Sequence, residues 1–230
     1  MSRTLDQCGD LQEAVRAYEQ SLASAEGPAG LPELLEELAQ LYHARGDSPA
    51  ALSSQKQAIG HYHNLGRPYR LKLAHALQQL GAMHQTGGDM TAALRRHEES
   101  LSILRRLPPS ESALLTIQAL KYMGGLHYEM QHFPAAIQCF EETLNLTEKY
   151  QAQQLPPVKL EAAAMATLAA AMRMGLANKE QTITNTRSTA QFITLAEQYL
   201  DGLDREDHLV EKRLEELKYL KRVLEGLLEE

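Results

Sequence analysis

Nine histidines, two cysteines and adjacent carboxylates such as Glu36-Glu37 are the residues of this 230-residue chain that could ligate a metal, attack an electrophile or move protons. Their spacing argues against all three. A metal site needs several donors on one face, and the closest pair, His61 and His63, leaves a helix on different sides. His127 and His132 straddle a turn, and His97-Glu98-Glu99 is not an HExxH motif. Cys8 and Cys139 form no CxxC and have no flanking basic group to lower a thiol pKa. Glu36-Glu37, Glu98-Glu99 and Glu141-Glu142 sit among polar neighbours, as expected of solvated helix faces rather than an acid/base pair. Gly87-Gly88-Asp89 and Gly124-Gly125 lack the GxxxxGK[ST] or GxGxxG context of a phosphate loop. No GxSxG occurs. Asn145-Leu146-Thr147 is a sequon inside a helical pattern, read as chance. The expectation is a non-enzyme with no catalytic residue, no metal and no cofactor.

Composition narrows the partner class. A net charge of −7 and a pI near 5.7 leave no basic stripe to displace counterions, which argues against nucleic acid. Two cysteines make no disulfide framework and are read as reduced thiols of a cytoplasmic protein. No apolar stretch approaches 18 residues, and MSRTLDQCGD has no apolar leader core, so no membrane insertion is expected. With three Phe and no Trp, the core must come from Leu, Ala, Met and Tyr. β-branched runs of strand length are missing, so this composition suits close-packed helices.

The elements that would position any site announce themselves as a recurring phrase. Gly9-Asp10, Gly46-Asp47, Gly88-Asp89 and Gln131-His132 recur at spacings of 37, 42 and 43 residues, each followed within five residues by Ala14, Ala51, Ala93 or Ala136. A period near 40 marks a helical repeat array. Ahead of three of the phrases lie i, i+3, i+4, i+7 stripes: Leu35, Leu38, Ala39, Tyr42; Leu77, Leu80, Gly81, His84; Leu120, Met123, Gly124, His127. A glycine costs a helix interior about 1 kcal/mol against alanine. Gly81 and Gly124 therefore predict two helices pressed together at that level. After each phrase a second helix begins. Asp47 or Ser48 can cap it, and Pro49 and Pro134 fit its first turn. Ala14, Ala51, Ala93 and Ala136 are followed four positions on by Tyr18, Gln55, His97 and Phe140, small then large on one face.

These motifs resemble the tetratricopeptide repeat, W-x2-L-G-x2-Y followed by A-x3-F. Leu77-x2-Leu80-Gly81-x2-His84 with Ala93-x3-His97 is similar to one copy. Leu120-x2-Met123-Gly124-x2-His127 with Ala136-x3-Phe140, and Leu35-x2-Leu38-Ala39-x2-Tyr42 with Ala51-x3-Gln55, are similar to two more. The chain departs from the pattern in lacking Trp, in placing His for Tyr twice, and in periods longer than 34 residues. The long period is similar to that of kinesin light chain and Leu-Gly-Asn-type adaptor repeats. The resemblance implies an all-α fold, an α-solenoid of stacked antiparallel helix pairs forming a tetratricopeptide-like superhelix.

Four segments follow. Residues 1–27 hold an incomplete first repeat, its second helix only, with Leu11, Val15, Tyr18 and Leu22 as a stripe needing cover. This favours a fragment of a longer array. Residues 31–150 hold three helix pairs. Residues 157–203 read as a degenerate pair: an Ala- and Met-rich helix after Pro156-Pro157, a polar loop over 175–189, and a helix resuming near Ala190. Residues 204–230 read as an amphipathic capping helix with Val210, Leu214, Leu217, Leu220, Leu224 and Leu227 at helical spacing; a dimerising or partner-binding helix is the alternative.

The resemblance also implies a concave groove, lined by first helices, that holds a peptide or helix. Carried over by position, it comprises Glu33, Glu36, Gln40 and His43; then His75, Gln78, Ala82 and Gln85; then Gln118, Lys121, Gly125 and Tyr128; and Ala163, Ala166, Ala170 and Arg173. A chaperone-type carboxylate clamp needs Asn and Lys or Arg at matched positions, and only Lys121 and Arg173 fit. Glu33, Glu36 and Glu37 set against Lys121 and Arg173 imply that a basic ligand segment lies near the first repeats and an acidic one near the last. The expected function is an adaptor or scaffold for a protein or peptide ligand. The alternative is a structural subunit, or a homo-oligomer packing through the N-terminal stripe or the C-terminal helix.

Overall fold

The computed structural model describes residues 12–20, 30–149, 182–201, 203 and 207–228, and every regular element among them is a helix. Helix α1 spans residues 12–20. Then come α2 (Leu31–Ala44), α3 (Ser48–Leu65), a single 3-10 turn (Arg67–Tyr69), α4 (Arg70–Thr86) and α5 (Met90–Leu104). They are followed by α6 (Pro109–Glu129), α7 (Phe133–Lys149), α8 (Thr182–Leu200) and α9 (His208–Leu228). The fold is thus the all-α repeat expected, with α2/α3, α4/α5 and α6/α7 as the three helix pairs. Two compact units divide the chain, Met1–Ala119 and Leu120–Glu230, the division falling inside α6.

The link within each pair is built from the recurring phrase. Gly46 and Gly88 adopt left-handed φ values of 83° and 82°, which an L side chain disfavours. In that conformation the Gly46 N–H bonds the His43 carbonyl at 3.0 Å and the next N–H, of Asp47, bonds the Tyr42 carbonyl at 2.9 Å. Gly88 and Asp89 repeat the pattern on Gln85 and His84, both at 2.9 Å. This Schellman arrangement satisfies carbonyls that the end of a helix leaves open. The same aspartates then open the following helix. Asp47 Oδ1 accepts from the Ala50 N–H at 3.2 Å, and Asp89 Oδ1 from the Ala92 N–H at 2.9 Å. In the fourth copy Gln131 holds the left-handed position at φ 61°, its N–H on Tyr128 and that of His132 on His127.

Unit 1 is packed through its small residues. Ala39, Ala51 and Ala93 are fully buried, and a Cβ on Gly81 would lie 2.7 Å from His97 Nε2. Buried amides tie neighbouring helices together: Gln55 Nε2 donates to the Ala76 carbonyl and to Gln79 Oε1, each at 2.9 Å. Helix α1 joins this stack through Val15, 2% exposed, and through Tyr42, whose hydroxyl meets the Glu19 carboxylate at 2.5 Å.

Unit 2 repeats the close approach, since a Cβ on Gly124 would stand 2.7 Å from Phe140 Cδ1 and closer still to Cε1. Its core joins Ala136, Ile137, Phe140 and Leu144 to Ile193, Ala196, Tyr199 and Leu200, and to Val210, Leu217, Leu220 and Leu224. Val210, Leu217, Leu220 and Leu224 of the α9 stripe are therefore packed within its own unit. Leu209 and Tyr219 of the same helix stay exposed, at 56% and 62%.

One expectation is corrected. The polar stretch over 175–189, read as a loop, is helical from Thr182 onward. Thr and Asn are weak helix formers, but Thr189 is fully buried and continues, at helical spacing, the stripe of Ile193, Ala196 and Leu200 that packs on the core. Tertiary packing outweighs propensity there. The Ala-rich helix after Pro156-Pro157, and Cys8, lie outside the described residues.

Candidate partner-binding faces

On α2 and α4 the row implied by resemblance is only partly turned to solvent. His75 is exposed, as are Gln40 and His43, whereas Gln78 is 3% exposed. Its amide donates to the Leu115 carbonyl at 2.9 Å and to Ser100 Oγ at 3.1 Å. Gln78 thus binds helices together and presents nothing to a ligand. Glu36, the equivalent residue one repeat earlier, turns inward the same way and accepts the Tyr62 hydroxyl at 2.8 Å. Burial is the main reason its carboxyl pKa is raised, and the Tyr62 phenol is in turn pushed well above its ordinary value, first by burial and then by Glu36. The outward row on α4 reads Lys72, His75, Gln79, Ala82 and Thr86, all at least partly exposed. Helix α4 packs between α3 and α5, which leaves this strip to water.

Charge on the strip is internally answered. Lys72 Nζ meets Glu33 Oε1 at 2.5 Å, holding the glutamate below and the lysine above their usual pKa ranges. The same ammonium lies 5.7 Å from the centre of the Tyr69 ring, which stacks on Tyr62 at 6.1 Å. Glu37 serves a different neighbour, raising the pKa of Tyr18 on α1 by hydrogen bonding. Of the three acidic residues expected to face a basic ligand, one is paired, one is half-buried against a phenol, and one engages α1. Lys72, Tyr62 and Tyr69 escaped the sequence reading. The signal for Lys72 was its place one turn before His75 on the same face.

The remaining candidates sit as follows. Ala82 and Gln85 are half-buried on α4. On α6, Gln118, Lys121 and Gly125 are half-buried and Tyr128 is 42% exposed. Lys121 Nζ lies 5.3 Å from the Tyr122 ring centre, and Tyr128 packs at 6.0 Å from the Phe133 ring. Arg173, with Ala163, Ala166 and Ala170, lies outside the described residues. Among the described residues, no three His, Cys, Asp or Glu side chains are grouped so as to hold a metal ion, and no helix is long and apolar enough to cross a membrane.

Two of the histidines, His97 and His84, serve packing. His97 is fully buried against Gly81, and burial pushes its pKa down to about 4. His84 is lowered too, chiefly by burial. Cys139 is buried in α7.

Comparison with known proteins agrees with this geometry. The family model for the tetratricopeptide repeat matches residues 30–106 and 72–149, more than half of the chain, and a second tetratricopeptide repeat model matches residues 1–32. No curated protein matches by sequence. Among solved structures, BtubC (BKLC) from P. vanneervenii is similar at 16% identity and a TM-score of 0.53, over 96% of this chain and 92% of that one. The nearly identical TPR-like repeats of a kinesin-light-chain-type protein from Podospora anserina align at 15% identity and a TM-score of 0.56, over 96% and 91%. Apo RapI aligns at 16% identity and 0.60, over 92% of this chain and 60% of RapI. At these identities the likenesses speak to the fold alone. Tetratricopeptide repeats are in general non-catalytic scaffolds for protein interaction, which is the class of activity they point to here. The repeat phrase, the closely packed small residues and the family match together place this chain in the tetratricopeptide repeat family.

Proposed function

We propose that the chain is an adaptor or scaffold that holds a partner peptide or helix along the outward strips of its first helices, as a cytoplasmic, non-enzymatic protein. The observation that carries this reading is the strip on α2 and α4. Gln40, His43 and His75 present exposed polar groups, while the charges beside them, Glu33 and Lys72, are paired with each other. Such a strip suits hydrogen bonding to a largely neutral peptide backbone, and it replaces the expectation of a basic ligand segment at this end. Gln118, Lys121 and Tyr128 on α6 would extend the recognition, with Lys121 drawing an acidic side chain. The alternative of a structural subunit or homo-oligomer through the C-terminal helix would have to use Leu209 and Tyr219, which stay exposed on α9, since Val210, Leu217, Leu220 and Leu224 are packed internally.

Affinity capture compares the wild-type chain with Gln40→Glu/His75→Glu on the strip and Lys56→Glu/Arg95→Glu on exposed second-helix positions. Loss of the captured proteins from the strip variant alone supports the reading. Equal recovery from the strip variant, or loss only from the second-helix variant, refutes it.

A further inference from the structure

Between Asp47 and Asp89 the sequence contains no acidic residue, although the chain as a whole carries a net charge of −7. Lys56, Arg67, Arg70 and Lys72 fall in that stretch, and Arg95, Arg96, Arg105 and Arg106 follow on α5 and just beyond it. Half of these cations gather at one edge of unit 1. Helices α3 and α4 run antiparallel, with Gln55 on Gln79 and Tyr62 packed against Leu73. Helices α4 and α5 do the same, with His97 over Gly81 and Ser100 bonded to the Ala74 carbonyl. The link from α3 to α4 therefore lies beside the link that leaves α5, and Leu65, Tyr69 and Ile103 pack on a single apolar cluster there. Arg67 and Arg70 stand on the first link, Arg105 and Arg106 on the second. Arg67, Arg105 and Arg106 are exposed, and Arg70 is partly so.

Local structure does not account for this placement. Arginine at the end of α5 answers the partial negative charge of that helix end, but Arg70 and Lys72 occupy the first turn of α4. A helix is electropositive there, and this first turn holds no acidic residue to compensate. Lys72 is offset by Glu33. Among the described residues no carboxylate meets Arg67, Arg70 or Arg106. Cations at the opposite end of α4 are answered instead: Arg96 meets Glu99 at 2.6 Å, and Lys56, Arg95 and Arg96 share the surroundings of His84 with Asp89. Both links are also ordered. The Tyr69 N–H bonds the Gly66 carbonyl at 3.1 Å and the Leu107 N–H bonds that of Leu104 at 3.0 Å, while Pro68, Pro108 and Pro109 hold the backbone. A charge kept on a rigid support against local electrostatics is the mark of a group that serves a partner more than the fold.

We infer that the edge carrying Arg67, Arg70, Arg105 and Arg106 is a docking surface for an acidic segment of another protein. Each guanidinium presents a planar fork that takes a carboxylate through two parallel hydrogen bonds, which a lysine ammonium does not. A run of closely spaced Asp and Glu side chains can thus engage both links at once. Carboxylates fit better than a nucleic acid. A polyphosphate strand continues past these cations along a chain whose net charge is −7 and is repelled there, whereas a short acidic segment ends where the arginines do. The edge uses neither Gln40 nor His75, and the inference does not depend on the strip of α2 and α4 binding anything.

The test uses the full chain and a short fluorescein-labelled peptide of alternating Asp and Glu. Saturable binding by anisotropy is expected, weakening as salt is raised. It should fall roughly tenfold or more with Arg67→Glu/Arg106→Glu, and in the same direction with the milder Arg67→Gln/Arg106→Gln. Lys56→Glu/Arg95→Glu, which changes the net charge as much at the opposite end, should bind as wild type does, and so should Gln40→Ala/His75→Ala on the strip. Circular dichroism of each variant establishes that it is folded. Absence of saturable binding overturns the inference, as does an equal loss from Lys56→Glu/Arg95→Glu, which would make the attraction one of overall charge. Loss from the strip variant would place the peptide elsewhere and overturn it too. An oligouridylate that binds as tightly as the peptide, or a dimer of the chain that Arg67→Glu/Arg106→Glu abolishes in sedimentation, would replace the acidic protein segment with another occupant.

Discussion

Two adjacent glycines of α6 should respond to alanine in opposite directions. At Gly125 a new Cβ meets nothing within 4 Å, so the substitution contributes only its helix propensity, a gain of about 1 kcal/mol. At Gly124 the same propensity gain is set against the Phe140 ring, which is 2% exposed and 2.7 Å away at Cδ1. Forcing a methyl into a packed site costs about 1–3 kcal/mol, and a buried ring has no free end to swing aside. Gly124→Ala should therefore be neutral to destabilising by about 2 kcal/mol. The two variants should differ by roughly 1–3 kcal/mol, and by some degrees in melting temperature at about 2–4 °C per kcal/mol for a chain of this size. Urea and thermal unfolding followed at 222 nm read the difference. A double-mutant cycle with Phe140→Leu locates its origin: the penalty at position 124 should shrink when the ring is gone, while the gain at 125 stays. Equal stabilisation by both alanines, or a penalty that survives Phe140→Leu, would show that the helices are not pressed together at this level.

Gln131→Gly should stabilise by about 1 kcal/mol, because a left-handed residue with a side chain costs roughly that much and glycine does not; an unchanged urea midpoint would count against the turn geometry. Stability should also fall as pH drops from about 6.5 toward 4. Unfolded His97 takes a proton near its ordinary pKa of 6.5, whereas in the folded chain burial delays protonation to about 4. Acid thus favours the unfolded state across that window, by roughly 3 kcal/mol at 1.36 kcal/mol per pKa unit, and the loss levels off below it. His97→Phe, which copies Phe140, should flatten the slope in a pH series of melts; an undiminished slope would place the titrating group elsewhere.

The local grammar of the fold was legible in the sequence because it depends on contacts within a few residues. Gly46, Asp47 and Ala51 each declare a backbone conformation, a cap or a close approach, and the structure realises all three. The helical start at Thr182 was not legible, since its cause is the burial of Thr189 among residues distant in sequence. Two of the carried-over positions turn inward for a related reason. Resemblance carries a position to a helix face, but Glu36 and Gln78 are drawn inward by Tyr62, Ser100 and Leu115, partners 22 to 37 residues away. Gln131 illustrates a third case: the repeat frame marks its place, though its own side chain gives no hint of a left-handed backbone.

Asp47 and Asp89 each end one helix with the backbone N–H and begin the next with the side chain, so the joint inside a pair contains no spare residue. An insertion there would separate two tasks that one residue now performs, and the pair would lose its internal angle. Among the described residues, the links between pairs at Gly66–Tyr69 and Arg105–Leu107 carry no residue with both tasks. Each helix pair is thus a fixed block.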